Sequence, residues 1–367
     1  MVKKIIIVLS ILVVSHVFAS ITPNPQISKF KPIFASFHGS PAGLVDGKFG
    51  STAWMVTDSS WIALKLEPGP SKILFTWNAT NYMWSDILGQ PGNCAEGQTV
   101  PTNYQILISA NSTNGSDGTW TVVDSVSDNN VSARSHIFDF SGSFWVKMFI
   151  IAGGGKIDEV EAFDISNGNN DTWFFVGSGI TADAFKKPVQ LKTFGFYLSD
   201  IVKDMGVKAT PAFIRGGSNC VTSAGLAIDI AKYLDATPGI THIAIEIGSV
   251  EAEGGGGSNA PGFAANLQKI IDVCKSRKVE PIIARIPAVN TEITTWQIHE
   301  EFLKIIDNAV KKNKLIPGPD LYTWFLQHPE ELQGDGIHPT AIGGGSIQRL
   351  WAEAVYKLYL EQTAAKK

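Results

Sequence analysis

The stretch Trp173-Phe174-Phe175-Val176-Gly177-Ser178-Gly179-Ile180-Thr181 decides how the C-terminal half is read. Four bulky apolar residues in a row make a strand buried on both faces, and the Gly-Ser-Gly after them marks a sharp turn into the next element. Similar apolar runs recur toward the C-terminus at residues 212–214, 242–247 and 281–286. Between and after them, residues 224–234, 263–274, 296–310 and 347–360 carry apolar side chains at helical spacing. This alternation predicts a parallel sheet with helices on both faces, a three-layer α/β domain over residues 173–367. The glycine run 254–257 is a loop after the third strand, because the alternation continues beyond it.

Toward the N-terminus the texture changes at Asn167-Gly168-Asn169-Asn170, and residues 166–172 read as a linker. Residues 20–165 are rich in Ser, Thr, Asn, Gly and aromatics, with short runs such as Trp61-Ile62-Ala63-Leu64-Lys65-Leu66, Lys72-Ile73-Leu74-Phe75-Thr76-Trp77, Tyr104-Gln105-Ile106-Leu107-Ile108 and Trp145-Val146-Lys147-Met148-Phe149-Ile150. Turn-forming clusters separate these runs, and none has a sustained 3.6 period. An antiparallel β-sandwich is the expectation. Trp61, Trp77, Trp120 and Trp145, on strands or strand edges, are assigned to its core.

A length of 367 residues suits two such domains. At the start, Lys3-Lys4 precede an apolar run from Ile5 to Val14, and Val17-Phe18-Ala19 puts small residues at −3 and −1 of a cleavage point. That is the layout of a signal peptide over residues 1–19, which predicts a secreted protein, extracellular or periplasmic, with no membrane span in the mature chain. A retained N-terminal anchor is the alternative. Without Lys3 and Lys4 the chain keeps 28 basic against 34 acidic residues, a net −6, which argues against nucleic acid as a partner. Cys94, Cys220 and Cys274 cannot all pair within one chain, so there is no disulfide scaffold. Cys274 falls on the apolar phase of its helix and reads as a buried thiol, a Cys220–Cys274 bridge being the alternative. No Cys/His spacing suggests a metal. Asn78, Asn111, Asn114, Asn130 and Asn170 begin Asn-x-Ser/Thr sequons, read as glycosylated loops or as plain polar turns according to the host.

The first half resembles a discoidin-like domain of the galactose-binding-like superfamily. The matching residues are Leu44-Val45-Asp46-Gly47 with Trp54, the 61–66 run, Tyr104 to Ser109 leading to Gly118-Thr119-Trp120, and the closing run Asp158-Glu159-Val160-Glu161-Ala162-Phe163. The resemblance implies glycan binding through loop aromatics, for which Tyr82 and Trp84 are the candidates, with core filling as their alternative. With 8 basic and 13 acidic residues in this half, a polyanionic ligand is disfavoured.

The second half resembles the SGNH (GDSL-type) hydrolases. Gln333-Gly334-Asp335-Gly336-Ile337-His338-Pro339-Thr340 matches that family's last block in full, which implies His338 as base and Asp335 as its orienter. The first block departs from the pattern. Alignment on Gly177 and Ile180-Thr181 puts Ser178 at the usual aspartate and Gly179 at the usual nucleophilic serine. In Glu246-Ile247-Gly248-Ser249-Val250-Glu251, Val250 stands where the oxyanion asparagine belongs and Glu251 where aspartate is usual. Either Gly216 or Gly217 supplies the remaining amide donor, Gly217 being preferred, and Asn219 is a substitute donor or a polar loop residue. Such chemistry needs an activated hydroxyl and preset donors. It needs no cofactor or metal.

Two readings follow. One is a secreted, carbohydrate-directed protein of polysaccharide O-acetylesterase-like type, impaired by Gly179 and Val250 but still binding its glycan, acetylated or not. The other is an active deacetylase in which Ser178 is a displaced nucleophile serving with His338 and Asp335. Activation of water by His338 alone is a third, slower route.

Overall fold

The computed structural model describes residues 25–36, 41–48, 54–79, 100–168, 171–186, 192–202, 211–216, 221–254 and 259–365. Residues 1–19, expected to be a signal peptide, and Tyr82, Trp84, Cys94, Cys220, Asn219, Asn170 and Gly217 lie outside the described residues.

The described residues of the first half form nine strands: β1 (Ile33–Ala35), β2 (Trp54–Met55), β3 (Trp61–Lys65), β4 (Lys72–Ala79), β5 (Pro101–Ser109), β6 (Thr121–Val126), β7 (Ala133–Asp139), β8 (Trp145–Gly153) and β9 (Lys156–Asp164). They build two antiparallel sheets, β1-β3-β8-β5-β6 and β2-β9-β4-β7. Alternate residues point inward, so Ile62, Leu64, Tyr104, Ile106, Val146 and Met148 of one sheet meet Ile73, Phe75, Trp77, Val160 and Ala162 of the other. Trp77 fulfils its core assignment, its indole N–H donating to the buried Tyr104 hydroxyl at 3.0 Å.

Trp145 is fully buried, on the outer face of its sheet, but Trp61 and Trp120 need a correction, because they are not core residues. The Trp61 and Trp120 rings clasp the ammonium of Lys147 at 5.0 and 3.7 Å, and the Trp120 ring meets Trp145 edge-on. The 111–120 loop lies over this outer face, since a Cβ on Gly115 would come 2.8 Å from that of Ala63. Trp145 is buried there, while Trp61 and Trp120 stay half-buried. Desolvation holds the Lys147 ammonium down at about 8.

The second half adds β10 (Thr172–Gly177), α1 (Gly179–Lys186), α2 (Phe194–Val202), β11 (Ala212–Ile214), α3 (Ser223–Ala236), β12 (His242–Glu246), α4 (Ser249–Gly254), α5 (Ala260–Ser276), β13 (Glu280–Arg285), α6 (Glu300–Asn313), β14 (Pro317–Asp320), α7 (Leu321–Gln327) and α8 (Ala341–Ala365). The five strands are parallel in the order β11-β10-β12-β13-β14. Successive residues of β10 feed opposite layers: Phe174 and Val176 pack with α3, α5 and α6, and Trp173 and Phe175 with α1, α2 and α8. The three-layer expectation holds. Cys274 is a free thiol on α5, buried, and burial pushes it up to about 12.

Two helix boundaries differ from expectation. The helix expected from residue 296 starts at Glu300, with Glu300 and Glu301 favouring its positive end, so Trp296 lies in the preceding loop. The helix expected from residue 347 starts at Ala341 despite three glycines. Close packing explains them: a Cβ on Gly343 would come 2.4 Å from the Glu331 carbonyl oxygen, and one on Gly344 3.3 Å from Ala184 Cα.

The two halves dock directly. Leu74, Ile137, Phe163 and Ile165 enclose Ala212 of β11, and the Ser135 hydroxyl donates to the Pro238 carbonyl at 2.6 Å. Arg215, just past β11, pairs with the buried Asp158 at 3.2 Å. The Arg215 backbone N–H donates to Asn78 Oδ1 at 3.1 Å. Asn78 is fully buried there, which leaves no room for a glycan on that sequon.

Candidate active site

In a sheet of this order the first strand runs outward to one neighbour and the chain then returns to the other side. The crevice at the carboxyl ends of β10 and β12 is therefore the ligand-binding end expected of the topology. Gly177, Ser178, Glu246 and Ser249 meet there. Strand closeness requires the glycine, because a Cβ at Gly177 would lie 2.2 Å from the Glu246 carbonyl oxygen.

Ser178 caps α1. Its Oγ accepts the Ile180 N–H at 3.2 Å and donates to Glu246 Oε2 at 2.7 Å. Thr181 donates to the same oxygen at 3.1 Å, and Ser249 to Oε1 at 2.6 Å. Glu246 is only 1% exposed and Ser178 2%, so this carboxylate is held in the interior by three hydroxyl donors. Ser178 thus donates to a carboxylate supplied by the neighbouring strand. Gly179 opens α1 with no side chain to present.

At the other block, Gly248 has φ +113°, and a Cβ there would come 2.6 Å from the Phe263 ring. Val250 is half-buried in the first turn of α4. Glu251 turns to structure: its Oε1 accepts the Ser223 N–H at 2.6 Å, at the positive end of α3. A Cβ on Gly216 would lie 2.2 Å from the Phe175 carbonyl oxygen, so close strand approach accounts for that glycine.

Asp335 and His338 come together in one turn. His338 Nδ1 lies 2.8 Å from Asp335 Oδ2, and Asp335 Oδ1 accepts the N–H groups of Ile337 and His338 at 2.9 and 3.0 Å. Partial burial pushes the Asp335 carboxyl up, but the hydrogen bonds from Ile337 and His338 outweigh it and hold it below the usual carboxylate range. The pair fixes the tautomer with hydrogen on Nδ1, leaving Nε2 to accept a proton. Gly336 gives the turn its shape with φ +73°, and its carbonyl accepts the Asn290 N–H at 2.8 Å. Both side chains of the pair are well exposed, His338 at 42% and Asp335 at 45%.

Glu246 and its three hydroxyls were not anticipated from sequence. Their only trace is a carboxylate closing an otherwise apolar strand. Among the described residues no group of His, Cys, Asp or Glu is arranged to hold a metal, and no helix is long and apolar enough to cross a membrane.

No family model matches the sequence, and no curated protein matches it. Solved structures similar to it include the lipase/acylhydrolase from Enterococcus faecalis, 21% identical with a TM-score of 0.43, covering 51% of this chain and 96% of that one. Another is a catalytic mutant of an acetylxylan esterase from Geobacillus stearothermophilus, 13% identical with a TM-score of 0.39, covering 51% and 93%. A third is chitosan-binding module 1 from the chitosanase/glucanase of Paenibacillus sp. IK-5, 17% identical with a TM-score of 0.27, covering 37% and 97%.

Proposed function

We propose that this chain is an exported, carbohydrate-directed protein of SGNH-hydrolase type that binds its glycan without cleaving an ester. The Ser178–Glu246 hydrogen bond carries the reading. With Gly179 in the nucleophile position, Ser178 is the nearest hydroxyl in sequence, and its proton is committed to a buried carboxylate. Attack would require breaking that bond and the helix cap together. Val250 adds an apolar side chain where an oxyanion donor is needed, a loss worth about 10²–10³ in turnover. Among the described residues, no hydroxyl is hydrogen-bonded to the His338 imidazole of the Asp335–His338 pair. The N-terminal sheets are read as the companion glycan-binding module, with Tyr82 and Trp84 as its contacts.

One observation favours the second reading, an active deacetylase: the Asp335–His338 geometry is that of a working base. Purified protein assayed on p-nitrophenyl acetate and acetylated xylan separates the two. Non-hydrolytic binding predicts no acetate release, and some turnover on combining Gly179→Ser with Val250→Asn. Acetate release by the wild type that Ser178→Ala abolishes would establish Ser178 as the nucleophile.

A further inference from the structure

We propose that Trp296, with Ile293 and Ile342, forms the stacking platform of a glycan site beside the Asp335–His338 turn, and that its ligand is an uncharged pyranose oligomer. This rests on the carbohydrate-directed reading above and locates the contact on the α/β half. Trp296 is 44% exposed, Ile293 54% and Ile342 60%. Large apolar side chains exposed singly are ordinary, but Ile293 packs against Gly336 of the turn that carries the polar pair, Trp296 follows three residues later in the same loop, and Ile342 stands four residues after His338. Trp296 and Ile293 belong to the loop between β13 and α6, and Ile342 to the first turn of α8, four residues after His338.

The loop is built to hold its shape. Ile293 and Thr294 N–H groups both donate to the Asn290 carbonyl at 3.0 Å, and the Trp296 N–H donates to Thr294 Oγ1 at 3.2 Å. Asn290 ties the loop to Gly336, and a Cβ on Gly336 would lie 3.2 Å from that of Ile293. The loop and the polar pair are therefore joined directly, at the end of the sheet where this topology binds ligands. An indole face with apolar neighbours suits the C–H face of a pyranose, while Asp335, His338 and Thr294 offer partners for hydroxyls. The ionised Asp335 and the exposed Glu292 disfavour an acidic sugar.

Calorimetric titration of the full-length protein with xylohexaose, chitohexaose and polygalacturonate tests this. The expected result is binding of a neutral hexamer but not polygalacturonate, weakened about tenfold or more by Trp296→Ala and largely kept by Trp296→Phe. Trp296 is exposed, so an unchanged melting temperature certifies the variant's fold. If Trp296→Ala binds like wild type while Trp84→Ala loses affinity, the platform is wrong and the carbohydrate reading stands. If wild type binds neither neutral hexamer, both fall.

Discussion

Ser178 and Glu246 join the carboxyl ends of β10 and β12 through one hydrogen bond of 2.7 Å between residues 68 positions apart. Two strands at the switch point of the sheet are thereby stitched by side chains as well as by their backbone ladder, which includes the Ser178 N–H donating to the Glu246 carbonyl at 3.2 Å. The crevice that usually hosts chemistry holds an internal polar knot here. Its consequences can be measured.

Removing the carboxylate should unravel that knot. Glu246→Ala strands three buried hydroxyl donors and should cost about 3 kcal/mol or more, whereas Glu246→Gln keeps an acceptor and should cost less. Urea titration of both variants checks this. A Glu246→Ala loss within experimental error of zero would show that the hydroxyls have other outlets.

The docking of the halves depends on a buried ion pair. Arg215→Ala leaves Asp158 charged and buried, with an expected loss of about 3–5 kcal/mol, while joint replacement by Met and Leu should recover much of it. Wild type should unfold in a single denaturant transition, and Arg215→Ala should split it into two. A variant that stays single and unshifted would mean that the apolar contacts around Ala212 suffice.

Stability should fall as pH rises from 6.5 to 7.5. Burial raises the Asp171 carboxyl to about 7, even though it accepts the Trp173 indole N–H at 2.7 Å and the Tyr359 hydroxyl. Its native pKa exceeds the unfolded one, so its contribution is complete in acid and is lost as pH climbs through 7. Glu161 and Glu159, also raised by burial, act in the same direction. His242, lowered by burial to about 4, opposes them within the same window, because the unfolded imidazole is half protonated at 6.5 and nearly neutral by 7.5, an offset of about 0.35 kcal/mol. Over this window Asp171 alone should supply roughly 0.7 kcal/mol. Denaturation at both pH values should show the drop, with a shallower slope in Asp171→Asn. Parallel slopes for the two proteins would remove Asp171 from the account.

Much of the α/β half is legible in the sequence because its strands are uninterrupted apolar runs. The expected 212–214 segment coincides with β11, and those at 173–176, 242–247 and 281–286 fall within a residue or two of β10, β12 and β13. The Asp335–His338 pair is legible because three residues of one turn bring it together. What escapes depends on distant partners. Glu246 takes its donors from α1 and α4, and Arg215 finds Asp158 across the domain boundary. β14, Pro-Gly-Pro-Asp, is not among the expected strands because it has no apolar run, yet it adds an edge strand to β13. Trp61 and Trp120, misassigned to the core, show the same limit. Burial of an aromatic residue is written in its side chain, but the face it buries depends on a loop folding back over Lys147.

If the proposed reading holds, no described side chain of this cleft accepts an acyl group. Intact-mass spectrometry after incubation with a fluorophosphonate probe tests it most directly, with an active serine esterase as the control for probe reactivity. The protein should keep its unmodified mass, and Gly179→Ser should gain the phosphonyl adduct. A stoichiometric adduct on the wild type, mapped to Ser178, would contradict the account.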